Sequence, residues 1–302
     1  IYHRTLLHKL GRTYIMILYY KVEKTNLTIN TILKQELGIS SRLFSKLINN
    51  NLVKLNNNVC DTRILATKDD IVSIDLNYPE DNSNIVPTNM NLNIVYEDEA
   101  FIVLDKPTGI AVHPSFSHFN NTLSNGLKFY FDKNSIHKKI RPVNRLDLNT
   151  SGLIIFAKNE YIQENLIKQM SNNTFKKEYL AVVLGILSSK KGTIDKPIAR
   201  KNDSIIERCI SPNGKQSITH FEVIKEYDSF SLVKCILETG RTHQIRVHFA
   251  SIGHPLLGDD LYGTKSDLIN GQALSCYKLS FYHPISKRYI SFTLNKNPFK
   301  FL

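Results

Sequence analysis

The sequence has few of the features that would place a protein in a membrane, in an oxidising compartment or around a metal ion. No apolar run approaches the ~20 residues that a helix needs to cross a bilayer. The four cysteines are scattered and form no C-x-x-C pair, so they indicate neither a disulfide framework nor a zinc site. His243 and His248 are five positions apart, which does not put them on one helical face as a pair of metal ligands. We therefore expect neither a membrane nor a metal partner.

Acidic residues are also scarce relative to basic ones. The 302 residues include 39 Lys and Arg against 27 Asp and Glu, which gives a net charge of +12. An excess of this size favours a polyanion or an anionic surface as the partner. Residues 77–302 hold 28 of the basic and 21 of the acidic residues, so most of the excess lies in the C-terminal part. A codon bias toward Lys, Asn and Ile is the alternative explanation.

Composition and the first residues indicate a folded cytoplasmic protein without a secretion signal. Hydrophobic residues make up 42% of the chain and charged residues 22%, which is enough apolar surface for a packed core. No long apolar segment is followed by a small-residue cleavage site. Met16 directly precedes a predicted strand at residues 17–22. We expect residues 1–27 to be an N-terminal extension, in which residues 1–15 have no folded role.

The pattern of residues 28–76 predicts two helices followed by a strand hairpin. Apolar residues recur at helical spacing in residues 28–37, and Ser40 is a suitable cap for a second helix. Three asparagines at 56–58 then separate two short strands, and asparagine tolerates the left-handed backbone of such a turn. Residues 71–76 alternate as a further strand.

This helix–helix–hairpin order resembles the small RNA-binding module named after ribosomal protein S-four. The resemblance covers about fifty residues, and the asparagines stand where that family usually has a glycine. It implies that Arg42 and Lys46, which share one face of the second helix, meet RNA phosphates. A purely structural helical hairpin with solvated lysines is the alternative.

Residues 77–91 separate this unit from a larger one. They contain two prolines and several asparagines and show no helical or strand periodicity, so we interpret them as a linker. We expect residues 92–302 to form the second domain. Its basic stretch, residues 186–215, predicts a hairpin arm with little core. Arg200, Lys201 and Arg208 in this arm either contact nucleic acid or form a solvated face.

The run 141–152, R-P-V-N-R-L-D-L-N-T-S-G, is the most informative stretch of the chain. It is a polar loop with Asp147 at its centre, and the apolar strand 153–157 follows at once. Loops held by rigid strands are where catalytic groups are usually placed. Gly152 permits a sharp turn that a side chain would block. An ordinary loop with a surface ion pair between Asp147 and Arg145 is the alternative.

A second informative stretch covers residues 238–253. Thr242 is a suitable cap for a helix that ends at Gly253. Ile245 lies on the face of this helix that we expect to pack against the protein core. Arg241 stands at the helix entrance, where its guanidinium can reach the carboxylate of a neighbouring loop with two hydrogen bonds.

Four motifs, in one order, now identify a family resemblance. They are D-K-P-x-G-x-x-V-H-P at 105–114, N-R-L-D-x-x-T-S-G at 144–152, K-E-Y-L-A-V-V-L-G at 177–185 and T-G-R-T-H-Q-I-R-V-H at 239–248. Together they resemble the RluA-type pseudouridine synthases over residues 92–294. The resemblance implies an isomerase that converts uridine to pseudouridine in structured RNA without a cofactor. Its implied substrate is large-subunit ribosomal RNA, with transfer RNA left open.

The resemblance also implies roles for single residues. Asp147 matches the catalytic aspartate of the family, and Arg241 matches the arginine that pairs with it. Tyr179 matches the tyrosine that packs on the flipped uracil and assists proton removal. Arg145 matches the arginine that helps to displace the target base. The residues expected in the substrate pocket are Asn144, Thr150 and Ile245.

The chemistry is consistent with these residue types. Isomerisation breaks the bond between base and sugar and rejoins the base through a carbon, so no outside atom enters. A carboxylate can act on the sugar as nucleophile or as base, and both mechanisms stay open. Burial alone would raise the pKa of that carboxyl, and a close arginine lowers it again. The sequence departs from the family at Asn144, Leu148 and Asn149, which stand beside the nucleophile.

We therefore expect a mixed α/β (α+β) fold in a monomer. Its central, mostly antiparallel sheet is flanked by helices around an RNA cleft, and a small helical and hairpin module precedes it. Two other functions stay open. One is a catalytically silent RNA-binding or ribosome-assembly factor on the same fold. The other is a metal-dependent nuclease that combines Asp147 with Asp259 or Asp260.

Overall fold

A small antiparallel sheet forms the N-terminal part of the protein. The structure, a computed structural model, describes residues 6–10 and 13–302. The described strands of this part are β1 (Leu6–Leu10), β2 (Thr13–Lys21), β3 (Leu27–Thr28), β4 (Val53–Leu55), β5 (Asn58–Val59), β6 (Leu65–Ala66) and β7 (Ile71–Asp75). The sheet has the order β1-β2-β7-β4-β5, and β3 pairs separately with β6.

The first two strands change the interpretation of the N-terminus. β1 pairs antiparallel with β2, and β2 in turn pairs with β7. The backbone groups of residues 6–10 therefore have partners in β2. This differs from the expectation that residues 1–15 have no folded role, as far as residues 6–10 and 13–15 are concerned. Residues 1–5 and 11–12 lie outside the described residues.

Two helical segments accompany this sheet. A short helix, α1 (Ile29–Thr31), continues as a π-helical segment (Ile32–Glu36), and α2 covers Ser41–Asn49. Ser40 caps α2, since its hydroxyl accepts a hydrogen bond from the Leu43 N–H at 3.2 Å. The predicted cap is thereby confirmed.

The turn between β4 and β5 uses asparagines as the sequence predicts. Asn56 and Asn57 have φ angles of 48° and 70°, a left-handed backbone that few residues other than glycine and asparagine adopt readily. The predicted helix–helix–hairpin order of residues 28–76 is present, with a first helix that is partly of the π type.

The predicted linker, residues 77–91, contains neither helix nor strand but is not free of contacts. The Asn82 Nδ2 donates to the Lys138 carbonyl at 2.8 Å, and the Asn125 Nδ2 donates to the Val86 carbonyl at the same distance. The segment therefore lies against the larger part of the protein along its length.

A larger sheet organises the remainder of the chain. Its strands and the neighbouring hairpin are β8 (Ile94–Glu97), β9 (Phe101–Lys106), β10 (Arg141–Pro142), β11 (Ser151–Ala157), β12 (Lys176–Leu184), β13 (Lys191–Asp195), β14 (Ile198–Arg200), β15 (Arg208–Ile210), β16 (Ile218–Glu226), β17 (Phe230–Leu237), β18 (Leu274–Tyr282) and β19 (Tyr289–Thr293). The order is β13-β16-β17-β12-β18-β11-β9-β8, with β10 on β11 and β19 on β18. β14 and β15 form a separate hairpin.

The pairing of these strands confirms the predicted sheet type. Among the described strand pairs, β11 with β18 is parallel and the others are antiparallel. β9 and β11 are buried almost throughout, so the core lies at the middle of the sheet. The loop that carries Asp147 leads directly into β11 and is therefore attached to the best-buried part of the fold.

Gly152 has a different role from the predicted turn. It lies within β11 with a φ of 105°, and a Cβ at this position would stand 2.3 Å from the carbonyl oxygen of Cys276. Only glycine allows the backbones of β11 and β18 to approach this closely.

Three helices flank the sheet: α3 (Leu123–Lys133), α4 (Glu160–Ser171) and α5 (Gln244–Ala250). α5 begins differently from the prediction. His243, with a left-handed φ of 58°, precedes it, and Thr242 does not cap it. The Gln244 side chain holds the entrance instead, because its Oε1 accepts hydrogen bonds from the Arg241 N–H and the Thr239 hydroxyl.

The predicted mixed α/β fold is confirmed. No helix in residues 6–10 and 13–302 is both long and apolar enough to cross a bilayer.

Candidate active site

The loop that carries Asp147 is fastened to strand β11 by its own backbone and by one side chain. The Val143 N–H donates to the Ile155 carbonyl at 2.8 Å. The buried Asn144 accepts a hydrogen bond from the Ile155 N–H at 2.9 Å and donates to the Leu153 carbonyl at 3.2 Å. The amide of Asn144 thus positions the loop and does not line the cavity, which differs from its expected place in the substrate pocket.

Lys106 holds the other side of the same loop. Its fully buried ammonium group donates to the carbonyls of Pro107, Ile110 and Leu148 at 2.9, 2.7 and 2.8 Å. Burial lowers the pKa of Lys106 to about 8, although the negative charge of Asp147 acts in the opposite direction. All three donors of the ammonium are used, so Lys106 fixes the backbone immediately after Asp147.

A cavity opens at the end of this loop and gathers residues from five elements. The loop itself, strands β12, β17 and β18, and the start of α5 all contribute to its lining. The structure brings together here six of the residues predicted from the motifs: Arg145, Asp147, Thr150, Tyr179, Arg241 and Ile245. Thr150 and Ile245 are buried, whereas Arg145 is exposed at the cavity. The hydroxyl of Thr150 accepts a hydrogen bond from Gln272 at 3.0 Å.

The basic side chains nearest to Asp147 are not those predicted. Among the described residues, its carboxylate has Arg246 at 3.7 Å and His243 at 3.9 Å. Arg246 directs its short hydrogen bonds to Asp259 instead, from Nε and Nη2 at 2.7 Å each. Burial would lower the pKa of Arg246, but Asp259 and Asp147 raise it above its ordinary value. Asp147 therefore faces a fixed positive charge without being closed into a short ion pair.

The predicted pairing of Arg241 with Asp147 is corrected by this geometry. Arg241 lines the same cavity, but its side chain is exposed and its Nε donates to the Gln216 carbonyl at 3.1 Å. The reason is the start of α5 at Gln244, because Arg241 then lies before the helix and Arg246 within it. The buried helical side chain, and not the one at the entrance, faces the carboxylate.

Sequence reasoning missed that Arg246 faces Asp147 and that Asp259 holds Arg246. Arg246 stands in the motif at 239–248, one position after the predicted Ile245, so the motif itself contained the signal. Asp259 belongs to a turn-rich segment outside that motif, and nothing in its spacing indicates that it holds Arg246. Its side chain is fully buried and also accepts the Leu261 N–H at 3.1 Å. Asp259 is thereby occupied by Arg246 and is not available as the second carboxylate of the nuclease alternative, which leaves that alternative with the exposed Asp260.

His243 connects the carboxylate to a tyrosine. Its Nδ1 lies 2.8 Å from the hydroxyl of Tyr262, and its Nε2 faces Asp147. The Tyr262 oxygen already accepts the Arg208 N–H at 2.8 Å, so its own proton is free to go to Nδ1. Burial lowers the pKa of His243, Asp147 opposes this, and the charge of Arg246 adds to it. A neutral imidazole that presents Nε2–H to the carboxylate fits these contacts.

Tyr179 closes the cavity from strand β12. A register shift between Glu178 and Tyr179 marks a bulge in the pairing of β12 with β18, and bulges of this kind re-aim side chains near active sites. Burial raises the pKa of Tyr179 well above its ordinary value, and neighbouring Cys276 and Asp147 raise it further. Tyr179 is therefore a neutral phenol at physiological pH, suited to packing on an aromatic ring and to donating a hydrogen bond.

The two residues predicted to bind RNA from helix α2 occupy different surroundings. Lys46 lies 3.0 Å from Glu80 and 3.3 Å from Glu160, and its ammonium stands over the ring of Tyr78 at 4.4 Å. Arg42 is 90% exposed and lies 3.6 Å from Glu160. Lys46 thus belongs to an internal charge network, and Arg42 is the more accessible of the two.

Comparison with known proteins identifies a family and several relatives of this chain. The family described as RNA pseudouridylate synthase matches residues 100–251. The uncharacterized RNA pseudouridine synthase YhcT of Bacillus subtilis (strain 168) is 40% identical over 262 residues, which covers 86% of each chain. Ribosomal large subunit pseudouridine synthase D of Zymomonas mobilis subsp. mobilis is 37% identical over 238 residues and 74% of each chain.

A solved structure shows the same relationship. Human RNA pseudouridylate synthase domain containing 1 matches with a TM-score of 0.58 at 27% identity, over 68% of this chain and 84% of that one. The matched family segment contains both Asp147 and Arg246. On these grounds the chain belongs to the RNA pseudouridine synthases, the isomerases that convert uridine to pseudouridine in RNA.

Proposed function

We propose that the chain isomerises specific uridines in structured RNA, with large-subunit ribosomal RNA as the substrate. The observation that carries this proposal is the position of Asp147, in a cavity with Tyr179 and 3.7 Å from an arginine that Asp259 holds in place. Relatives named ribosomal large subunit pseudouridine synthase D support the substrate class.

The reaction requires one carboxylate that acts on the ribose of the target nucleotide. The bond between N1 of uracil and C1′ of ribose breaks, the base turns, and a bond between C5 and C1′ forms. The proton on C5 is then lost and N1 gains one, so atoms balance without an outside group. Asp147 acts as nucleophile at C1′ or as base toward the sugar. The guanidinium of Arg246 and the Nε2 of His243 face its carboxylate at 3.7 and 3.9 Å.

The remaining residues of the cavity handle the base. The target must first leave its stack, and the exposed Arg145 is suited to fill the gap that it leaves. Tyr179 packs on the flipped uracil, and its hydroxyl lies on the route by which the C5 proton departs through water. Thr150 and Ile245 form the wall of the pocket.

Residues 28–76 serve, in this proposal, as a second RNA-binding unit joined to the catalytic domain 92–302 through residues 77–91. The enzyme acts as a cytoplasmic monomer. The departure at Asn144 is compatible with catalysis, because its amide supports the loop from behind. Leu148 and Asn149 hold the loop through their backbone carbonyls, which accept hydrogen bonds from Lys106 and Thr108 and do not depend on the side chain. This weighs against the catalytically silent binding factor.

Tritium release tests the reaction directly. RNA labelled with tritium at C5 of uridine loses the label when C5 becomes the attachment point. We expect release by the wild-type protein from unmodified ribosomal RNA, with a chelator present, and none by Asp147→Asn. If neither protein releases tritium from any RNA, yet both bind RNA with the same salt dependence, the chain is a binding factor and the proposal fails.

A further inference from the structure

A second cavity lies beside the first, between the β14–β15 hairpin and the entrance of α5. Its volume is about 390 Å³. Its floor is main chain, because Ile198 and Lys215 exchange two backbone hydrogen bonds of 2.9 Å. Gly214 lies so close to them that a Cβ there would stand 2.6 Å from the carbonyl carbon of Ile198. The shape of this cavity is therefore fixed by backbone contacts.

The charge of this cavity is of one sign. Its lining includes Arg200, Arg208, Lys215 and Arg241, and no Asp or Glu. Within the part of the chain that the structure describes, none of these four cations forms an ion pair with a carboxylate. Four basic side chains without counter-charges around one depression make a strongly positive site.

Neighbouring basic residues of the same arm behave differently. Lys191 pairs with Glu222 at 2.7 Å, and Lys201 pairs with Glu207 at 2.5 Å. These lysines form the ordinary solvated face that a basic stretch would produce, with each charge beside a carboxylate. The cations of the second cavity have no such carboxylate partner among the described residues, so the cavity is suited to an anionic ligand.

The two cavities meet at one residue. Arg241 lines both of them. A second connection runs through Tyr262, whose hydroxyl accepts the Arg208 N–H and contacts His243, the neighbour of Asp147. The hairpin that carries the positive cavity is thus tied to the wall of the active site.

We propose that this cavity binds backbone phosphates of the nucleotides next to the target uridine. A flipped nucleotide stays attached to its chain, so the adjacent phosphates must lie at the edge of the pocket that takes the base. Guanidinium groups suit phosphate oxygens, and such contacts set register and orientation without reading sequence. The inference rests on the proposed function and gives Arg241 a place in it.

The salt dependence of RNA binding distinguishes phosphate contacts in this cavity from the overall positive charge of the protein. The test variant is Arg200→Gln with Lys215→Gln, which removes two charges from the cavity. The matched control is Lys190→Gln with Lys191→Gln, which removes two charges from lysines of the same arm that pair with carboxylates. Fluorescently labelled, unmodified ribosomal RNA is titrated with each protein over a series of salt concentrations, and KM is measured by tritium release.

A plot of the logarithm of the association constant against the logarithm of the salt concentration has a negative slope. We expect this slope to become less steep in the test variant, by about one for each phosphate that the protein no longer binds. Its KM should rise about tenfold, with a smaller change in kcat, since phosphate contacts position the RNA and do not react. The control should keep the wild-type slope. A charge-preserving variant, Arg200→Lys with Lys215→Arg, should keep most of the slope and shows that loss of charge is the cause.

Two results would overturn the subsite. One is a test variant with the wild-type slope and KM, and the other is an equal loss in test variant and control. Failure of the proposed function gives a different outcome, because the wild-type protein then releases no tritium. The comparison of salt slopes still decides whether the cavity binds RNA in that case.

Discussion

Two carboxylates of this protein, Glu80 and Asp147, each lie beside an arginine, and their surroundings are opposite. The side chain of Glu80 is 2% exposed and accepts two hydrogen bonds of 2.6 Å from Arg141 and one of 3.0 Å from Lys46. The Asp147 side chain is 27% exposed, and the nearest described basic groups, Arg246 and His243, stand at 3.7 and 3.9 Å. The carboxylate–arginine pair is closed by short hydrogen bonds at Glu80, whereas the carboxylate of Asp147 is left without such bonds.

The comparison shows how the fold keeps a carboxylate reactive. A carboxylate whose oxygens are all occupied, as in Glu80, has nothing left to offer a substrate and serves to join elements. Arg246 would close on Asp147 in the same way if it were free. Asp259 prevents this, because it takes the Nε and Nη2 of Arg246 in two bonds of 2.7 Å. Asp147 receives the field of the guanidinium and keeps its oxygens available.

Glu80 connects three segments of the chain through its ion pairs. It lies in the segment 77–91 and links Lys46 of helix α2 with Arg141, which directly precedes the Asp147 loop. Burial would raise the pKa of Glu80, but Arg141 and Lys46 lower it below its ordinary value. The network therefore ties the N-terminal unit to the base of the catalytic loop.

Apart from replacement of Asp147 itself, the largest effect on catalysis should come from removing Asp259, which holds Arg246 away from Asp147. We expect Asp259→Asn to lower kcat by about 10²–10³-fold, the usual scale for loss of one preorganised electrostatic group. The asparagine keeps one acceptor oxygen but loses the negative charge and the second acceptor, so it holds Arg246 less firmly and the guanidinium can pair with Asp147. Its KM for RNA should change less than kcat. An unchanged kcat in a folded Asp259→Asn protein would show that Arg246 needs no second partner.

Replacing Glu80 in the closed network should lower the stability of the protein and leave its catalytic rate unchanged. Glu80→Gln leaves Arg141 and Lys46 without their counter-charge, and breaking a buried pair on one side costs about 3–5 kcal/mol of the free energy of unfolding. Denaturant unfolding measures this loss. The matched variant Glu99→Gln, on the loop before β9, should lose less than about 0.5 kcal/mol. Equal losses would contradict the structural role of Glu80.

The stability that Glu80 contributes should depend on pH in a defined direction. Its folded-state pKa lies below the ordinary value of about 4.3 for a glutamate. The contribution is therefore complete above that pH and is lost as the pH falls through the lowered folded-state pKa. Melting temperatures of wild type and Glu80→Gln should converge in acid. A constant difference down to the acid limit would contradict the assignment.

The smallest effects should distinguish the two basic residues of α2. Lys46→Gln should lower the free energy of unfolding by about 1–2 kcal/mol, since Lys46 contacts Glu80 and Glu160. Arg42→Gln should cost less than about 0.5 kcal/mol, because an exposed pair contributes little. Arg42→Gln should instead reduce the salt slope of RNA binding more than Lys46→Gln does. The reverse ranking in both measurements would restore Lys46 as an RNA contact.

Much of the local structure was predictable because its causes are local. The Ser40 cap of α2, the left-handed asparagines after β4 and the polar Asp147 loop before β11 each depend on a few adjacent residues. Six residues of the cavity were also predictable, from motifs in fixed order.

The errors arise where a role depends on partners that are distant in sequence. The choice between Arg241 and Arg246 depends on where α5 begins and on Asp259, which lies outside the motif. Lys46 looked like a free cation because Glu80 and Glu160 reach it only in the folded protein. Charge complementarity of this kind has no periodicity that a single sequence displays.

The central claim is that the open carboxylate performs the chemistry and the closed one supports the fold. The direct test measures tritium release and melting temperature on the same preparations of Asp147→Asn and Glu80→Gln, at a temperature where both are folded. The account predicts that Asp147→Asn keeps its melting temperature and releases no tritium, and that Glu80→Gln melts earlier and still releases tritium. Tritium release by folded Asp147→Asn, or a Glu80→Gln protein that is inactive at wild-type stability, would contradict it.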